Sequence, residues 1–144
     1  KVLEYFNGNV EAKTFAIWGL AFKPNTNDMR EAPAITIINE LLARGAKIQS
    51  FDPKAMDTAK AIFKDKIAYM QNAYEALNNA DALLLLTEWN EFRRPDFNII
   101  KENLKQPLIF DGRNLYNNET LKSNGFEYIA MGNGILNPKH AVVY

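Results

Sequence analysis

The sequence predicts an α/β protein: a doubly wound parallel sheet of about five to six strands, with helices on both faces. Short apolar runs of strand length alternate along the chain with amphipathic segments, the pattern of consecutive βαβ units. The runs at 14–20 and 82–87 are almost continuously apolar, as expected for strands covered on both faces. The other predicted strands are 47–51, 67–69, 108–110 and 126–130.

The clearest predicted helix covers about 34–44. Isoleucine and leucine recur there at helical spacing, Pro33 suits the first turn, and Gly45 ends the helix. Residues 1–10 are predicted to be the last turns of a helix whose beginning is missing, with Gly8 near its C-terminal cap. The other predicted helices are 55–64, with Ala59, Ile62 and Phe63 facing inward; 73–78, opened by an Asn72–Glu75 capping box; 95–104; and 118–123. Residues 89–94 are predicted to be a short helix or turn.

Composition restricts the function classes. The 144 residues suffice for one domain, and equal numbers of basic and acidic residues, 17 each, mean that any anion site must be local. The absence of cysteine excludes disulfides and thiol chemistry within the chain and fits a reducing compartment. A single histidine, His140, argues against a catalytic triad or a multi-histidine metal site. The longest apolar run, 82–86, is far shorter than the roughly 20 residues of a membrane span. We expect a cytoplasmic protein with no nucleic-acid or membrane partner, and a loosely ordered tail over 131–144.

Two cations follow the first predicted strand. The loop 19–33 carries Lys23 and Arg30 and leads into the first long helix, and such folds place their ligands at loops of this kind. We expect an anion site with Lys23 as a point charge and Arg30 as a bidentate fork, with ordinary surface cations as the alternative. Arg113 follows the fifth predicted strand on the same edge, where it could converge with Lys23. A third cation there favours a diphosphate ligand.

The neighbouring residues have structural interpretations too. Phe22 could stack on a base or a nicotinamide, but we expect it in the core. We expect Asp28 and Glu31 to complement the helix dipole rather than to orient the cations. Trp89 and Phe92 are predicted to be packing residues.

No dinucleotide or catalytic signature is present in the sequence. Of the Gly-x-Gly-x-x-Gly turn only Gly19 is found, and the Walker pattern is missing. Asp52 follows the second predicted strand, where an adenosine-binding domain often keeps an acid for the ribose. Without the glycine fingerprint, a turn with Pro53 is the better interpretation. The sequence contains no nucleophile–base pair and no metal-ligand set. It therefore favours a binding domain with no catalytic residue of its own.

Three motifs are more specific. Residues 19–33 read Gly-Leu-Ala-Phe-Lys-Pro-Asn-Thr-Asn-Asp-Met-Arg-Glu-Ala-Pro, residues 87–92 read Thr-Glu-Trp-Asn-Glu-Phe, and residues 110–116 read Phe-Asp-Gly-Arg-Asn-Leu-Tyr. Together they resemble the C-terminal domain of the UDP-glucose 6-dehydrogenases, over about 1–130. The enzymes acting on UDP-N-acetylmannosamine or GDP-mannose share the Phe-Lys-Pro loop, whereas the Thr-Glu-Trp stretch resembles the UDP-glucose branch.

The resemblance implies part of a larger enzyme. In that family an N-terminal Rossmann domain binds NAD, a central helix forms a homodimer, and a C-terminal Rossmann-like domain binds the UDP part of the substrate. Residues 1–10 would end the central-helix region, 11–130 would be the UDP-binding domain, and 131–144 a C-terminal tail. The family oxidises UDP-glucose to UDP-glucuronate with two NAD, through a thioester on a cysteine that this chain lacks. We therefore expect the chain alone to be inactive.

The resemblance also implies residue roles. Phe22, Lys23 and Arg113 correspond to substrate-binding residues, and Arg30 corresponds to an arginine that reaches the NAD phosphates. Asn27 departs from the pattern, because an acid is common at that position. A stand-alone nucleotide-binding module and a self-association domain are the alternatives outside this family.

Overall fold

The computed structural model describes residues 1–130, so the predicted tail 131–144, including His140, lies outside the described residues. Six strands form one parallel sheet in the order β3-β2-β1-β4-β5-β6. The strands are β1 Thr14–Trp18, β2 Lys47–Phe51, β3 Ala68–Tyr69, β4 Ala82–Leu85, β5 Leu108–Asp111 and β6 Glu127–Ala130. The strand order reverses between β1 and β4, which makes this gap the switch point of a doubly wound sheet. The predicted fold class is confirmed.

Helices connect most of the strands. They are α1 Val2–Tyr5, α2 Pro33–Ala43, α3 Met56–Phe63, α4 Phe97–Asn103 and α5 Asn118–Ser123, with single 3₁₀ turns at Lys64–Lys66, Glu75–Leu77 and Asn90–Phe92. Among the described helices, none combines the length and the hydropathy needed to span a membrane.

The core is centred on β1 and β4. Every residue of β4, and β1 from Phe15 onward, is buried, as predicted for strands covered on both faces. Trp18 at the end of β1 stacks on Phe92 with ring centroids 5.0 Å apart. Its indole N–H donates to the carbonyl of Ala73 at 2.8 Å. The end of β1 is thereby held by contacts with the segments that follow β3 and β4.

The prediction that Ile62 faces inward is wrong. Ile62 is 41% exposed, whereas Ala59 and Phe63 are buried. Ala59 and Phe63 lie four residues apart and so share one stripe of α3. A helix of only eight residues buries little more than that stripe, which leaves Ile62 at its flank.

The Asn72 half of the predicted capping box is formed, but the helix that it was expected to open is a single turn. The Glu75 amide donates to Asn72 Oδ1 at 2.8 Å. Only Glu75–Leu77 then form a 3₁₀ turn instead of the predicted helix 73–78.

The N-terminal segment ends as predicted. Gly8 has φ +76°, and its amide donates to the Leu3 carbonyl at 2.7 Å, which closes α1. Val2 is fully buried, and the Tyr5 ring packs edge-on against Phe110 at 5.8 Å. This segment therefore packs onto the core of the sheet.

Gly19 begins the loop at the switch point and has no room for a side chain. Its φ is +100°, and a Cβ there would lie 2.5 Å from Cβ and Oγ1 of Thr87. The chain leaving β1 can thus approach the chain leaving β4 only because residue 19 is glycine.

Replacing Gly19 should therefore be far more damaging than replacing a glycine that is only conformationally strained. We expect Gly19→Ala to lower the free energy of unfolding by about 3 kcal/mol or more, from strain plus collision. The matched control is Gly8→Ala, where φ is also positive but nothing lies within 4 Å. That control should lose about 1–2 kcal/mol. Urea denaturation measures both, and equal losses would contradict the collision.

Candidate nucleotide-binding site

The loops that carry the candidate residues meet at one edge of the sheet. All strand pairs are parallel, so the segments after β1, β2, β4 and β5 leave from the same, carboxyl, edge. Lys23 follows β1 and Arg113 follows β5, with β4 between the two strands. Neighbouring strands lie about 4.8 Å apart, so β1 and β5 are separated by roughly 10 Å, a gap that two long cationic side chains can span.

Asp52, directly after β2, organises this edge. The side chain is 1% exposed. Its Oδ1 accepts the amides of Lys54 and Ala55, each at 2.8 Å. This is the turn that the sequence predicted, and it caps the chain before α3.

The second carboxylate oxygen of Asp52 joins two other loops. Asp52 Oδ2 accepts the amides of Leu20 at 2.7 Å and Ala21 at 3.0 Å, and the indole N–H of Trp89 at 3.0 Å. Because these two amides turn toward Asp52, β1 ends at Trp18 and not at residue 20 as predicted. No local pattern signals the three donors, which lie more than 30 residues from Asp52 along the chain.

Asp52 cannot play the part that an acid after β2 plays in dinucleotide-binding domains. There, the carboxylate faces the crevice and binds a ribose hydroxyl. Here both oxygens of Asp52 accept hydrogen bonds from the protein, and the side chain is buried. The absence of the glycine fingerprint and the inward-facing acid both argue against a dinucleotide site of this type.

Thr87 holds the same loop from the other side. It follows β4, is fully buried, and its Oγ1 donates to the Ala21 carbonyl at 2.6 Å. Ala21 is therefore bonded through its amide to the residue after β2 and through its carbonyl to the segment after β4.

Phe22 lies outside the core, so the packing interpretation of this residue is wrong. Its ring is 41% exposed, because Leu20 and Ala21 take the last buried positions before it. The Phe22 amide donates to the Asp28 carbonyl at 2.9 Å, which closes the loop and directs the ring outward. Lys23 Nζ lies 5.6 Å from the centroid of that ring, within cation–π range. The pair presents an aromatic face and an ammonium group together.

Arg30 is paired with Asp28, so the expectation that Asp28 does not orient a cation is wrong. Arg30 Nε and Nη2 donate to the Asp28 carboxylate at 2.8 to 3.3 Å. The hydrogen bonds from Arg30 lower the pKa of Asp28 to about 2. The Arg30 side chain is nevertheless 89% exposed. It lines an open groove of about 590 Å³ that reaches Ile35 of α2 and Thr58 of α3.

Arg113 has a partner that the sequence analysis did not identify. Its Nη2 donates to Glu88 at 2.9 and 3.2 Å, and its Nε donates at 3.1 Å, a bidentate pairing. About 31% of the Arg113 side chain and 26% of the Glu88 side chain are exposed. The Nη1 group takes no part in these bonds. Glu88 lies within the Thr-Glu-Trp motif, and Arg113 lies within the Phe-Asp-Gly-Arg motif. An ion pair between these two motifs could therefore have been predicted from the sequence.

Asp111 fixes the loop that carries Arg113. It is fully buried at the end of β5 and accepts the amides of Arg113, Leu115 and Tyr116 at 2.7 to 3.1 Å. The Tyr128 hydroxyl donates to the same carboxylate at 2.6 Å. Burial, and then this bond to Asp111, raise the pKa of Tyr128. The two cationic loops of the edge are thus each fixed by one buried aspartate.

Trp89 and Phe92 pack as predicted, since they are 6% and 0% exposed. Within residues 1–130 no group of three or more histidine, cysteine or acidic side chains could hold a metal ion. The edge therefore offers cations, an exposed aromatic ring and fixed backbone.

Comparison with known proteins agrees with the motifs. A family model described as the UDP-binding domain of the UDP-glucose/GDP-mannose dehydrogenase family matches residues 16–118. The chain belongs to this family. The matched range includes both buried aspartates of the edge and all four candidate residues, Phe22, Lys23, Arg30 and Arg113.

The relatives are much longer than this UDP-binding domain. UDP-glucose 6-dehydrogenase of Rhizobium meliloti is 39% identical over 132 residues, which are 92% of this chain but 30% of the relative. UDP-glucose 6-dehydrogenase TuaD of Bacillus subtilis is 42% identical over 125 residues, 87% of this chain and 27% of the relative. A UDP-glucose dehydrogenase structure from Pyrobaculum islandicum superposes with a TM-score of 0.71 at 29% identity, over 89% of this chain and 27% of that one. The chain spans about 30% of the length of its curated relatives.

The pairing of Arg30 with Asp28 can be tested by titration. We expect the Asp28 carboxyl to titrate at about 2 instead of 3.8. Because the pKa is lowered in the folded state, the pair stabilises the fold above the ordinary pKa, and this contribution is lost as the pH falls through about 2. Solvent exposure keeps the contribution small. Carbon-detected NMR of the side-chain carboxyls measures the midpoint.

The variant for this titration is Arg30→Gln, which should return the Asp28 midpoint toward 3.8. Arg44→Gln is the matched control, since it breaks a different exposed arginine pair, with Glu40. It should leave Asp28 unchanged. An Asp28 midpoint that does not move in Arg30→Gln would show that the pair is not formed in solution.

Proposed function

We propose that this chain is the UDP-sugar-binding C-terminal domain of a UDP-glucose 6-dehydrogenase, with Phe22, Lys23 and Arg113 as its substrate-binding residues. The observation that carries the proposal is the exposed Phe22–Lys23 pair. It lies at the switch point of a doubly wound sheet, on a backbone fixed by buried hydrogen bonds. The family assignment and the named relatives support it.

The chemistry of the edge suits a nucleoside diphosphate. Lys23 supplies an ammonium group for the diphosphate, and Arg113 supplies planar N–H donors. Glu88 binds Nε and Nη2 of Arg113, so Nη1 is the nitrogen that would bind a ligand oxygen. The Phe22 ring provides an apolar face for the uracil or the sugar. The positive charge is local, as a chain with no net charge requires.

The length comparison supports a larger enzyme in this proposal. The chain spans about 30% of its relatives, so in this proposal the remaining chain binds NAD and carries the catalytic cysteine. The whole enzyme would oxidise UDP-glucose to UDP-glucuronate with two NAD, as a homodimer in the cytoplasm. Residues 1–10 would end the central-helix region, and 11–130 would be the UDP-binding domain.

Arg30 is the proposed contact with the NAD phosphates. Its exposed guanidinium lies on the groove beside α2 and α3, and it is oriented by Asp28. A dinucleotide held by another domain would approach this outer side of the loop. In this proposal Lys23 and Arg30 therefore serve two different ligands.

Binding of UDP to the chain tests the proposal. Calorimetry, or NMR titration with UDP up to millimolar concentration, should show saturable binding that perturbs the amides around Lys23 and Arg113. Lys23→Ala should weaken this binding by about 1.5–3 kcal/mol, because one charge-assisted contact is lost. The Phe22 ring stays in place in this variant.

The matched control is Lys47→Ala. Lys47 is also an exposed lysine, but it begins β2 at the opposite edge of the sheet, so its loss should not change UDP binding. Equal affinity of Lys23→Ala and the unaltered chain would remove Lys23 from the site. Tighter binding of GDP than of UDP would favour the GDP-mannose branch of the family.

A further inference from the structure

Ala21, the residue immediately before Phe22, has both of its backbone polar groups hydrogen-bonded to other segments. The amide of Ala21 donates to Asp52, and its carbonyl accepts from Thr87. Asp52 follows β2 and Thr87 follows β4, the two strands that flank β1. The peptide that leads into the exposed pair is thus fixed from both sides of its own strand.

Asp52 is an unusual acid for a turn. It accepts five N–H donors, four from the backbone and one from the Trp89 indole. Within residues 1–130 the ion pairs are formed by other acids, so neutral N–H groups compensate this buried charge. The turn itself needs only Oδ1. The donors to Oδ2 come from the β1 loop and from the segment after β4.

We propose that Asp52 is the positioning residue of the nucleotide site: its Oδ2 fixes the amides of Leu20 and Ala21, so that Phe22 and Lys23 leave the sheet in one arrangement. The inference rests on the proposed function for the identity of the nucleotide. Asp52 does not touch the ligand. It acts through the backbone, by removing the entropy that the loop would otherwise lose on binding.

A carboxylate is required here because both oxygens must accept. Asparagine has nearly the same size but offers one acceptor oxygen and one NH₂ group. In either orientation its NH₂ would face at least two N–H donors: the Lys54 and Ala55 amides at one position, or the Leu20 and Ala21 amides and the indole at the other. Asp52→Asn therefore breaks either the turn or the loop attachment without changing the volume.

Two variants and one control separate positioning from stability. Asp52→Ala removes both acceptor oxygens, and Thr87→Val removes the second attachment of Ala21 while keeping the side-chain shape. Ser50→Ala is the control: Ser50 is buried in β2, and its hydroxyl donates to the Ala68 carbonyl at 2.8 Å, away from the loop. It loses a buried hydrogen bond but leaves the site intact. Circular dichroism and thermal melts confirm that each variant is folded.

Two readouts are taken on the whole chain: NMR hydrogen exchange of the Leu20 and Ala21 amides, and the dissociation constant for UDP. In Asp52→Ala both amides should exchange about tenfold faster or more, because they lose their acceptor. UDP should bind about tenfold more weakly in Asp52→Ala, and more weakly in Thr87→Val as well. Ser50→Ala should bind UDP within about twofold of the unaltered chain.

The possible failures are distinguishable. If Asp52→Ala and Thr87→Val bind UDP like the unaltered chain, the positioning role is overturned. If Asp52→Ala does not fold, Asp52→Asn decides the question: the exchange of the Leu20 and Ala21 amides and the affinity for UDP should change together or not at all, and a change in only one of them overturns the role. If the unaltered chain binds no UDP, the proposed function fails, and the positioning of a nucleotide fails with it. The exchange rates of Leu20 and Ala21 still decide whether Asp52 fixes the loop.

Discussion

The buried carboxylate of Asp52 is the interaction on which the carboxyl edge depends. It is compensated by N–H dipoles from three segments that follow three different strands. Asp111 repeats the arrangement at β5, where it accepts three amides and the Tyr128 hydroxyl. A buried charge is stable only when its acceptor capacity is filled, so each aspartate forces the loops around it into one conformation.

The buried acids and the exposed cations of this edge have different roles. The acids and Thr87 fix the backbone, whereas Lys23, Arg30 and Arg113 keep solvent-exposed groups. Two of the cations already have carboxylate partners, Asp28 and Glu88. In the proposed function, an anion bound at Arg30 or Arg113 would therefore share the guanidinium with an acid that orients it, while Lys23 has an aromatic ring beside it.

The fold shares its strand order with dinucleotide-binding domains, but its switch point is built differently. The space next to Gly19 is taken by Thr87, and the acid after β2 faces inward. The backbone therefore offers no glycine-rich turn for a pyrophosphate, and in the proposed function recognition depends on the side chains that follow. A shared fold here does not mean a shared ligand.

The parallel sheet and the edge where Lys23 and Arg113 lie can be predicted from the sequence, because hydrophobic patterning and βαβ connectivity are local signals. The motifs are also sufficient to predict the family. The folded structure is needed to show that Phe22 is exposed, that Arg113 pairs with Glu88, and that Asp52 joins the loops. These contacts link residues 25 to 37 positions apart. No local pattern encodes such partners, since they meet only when parallel strands bring their carboxyl ends to one edge.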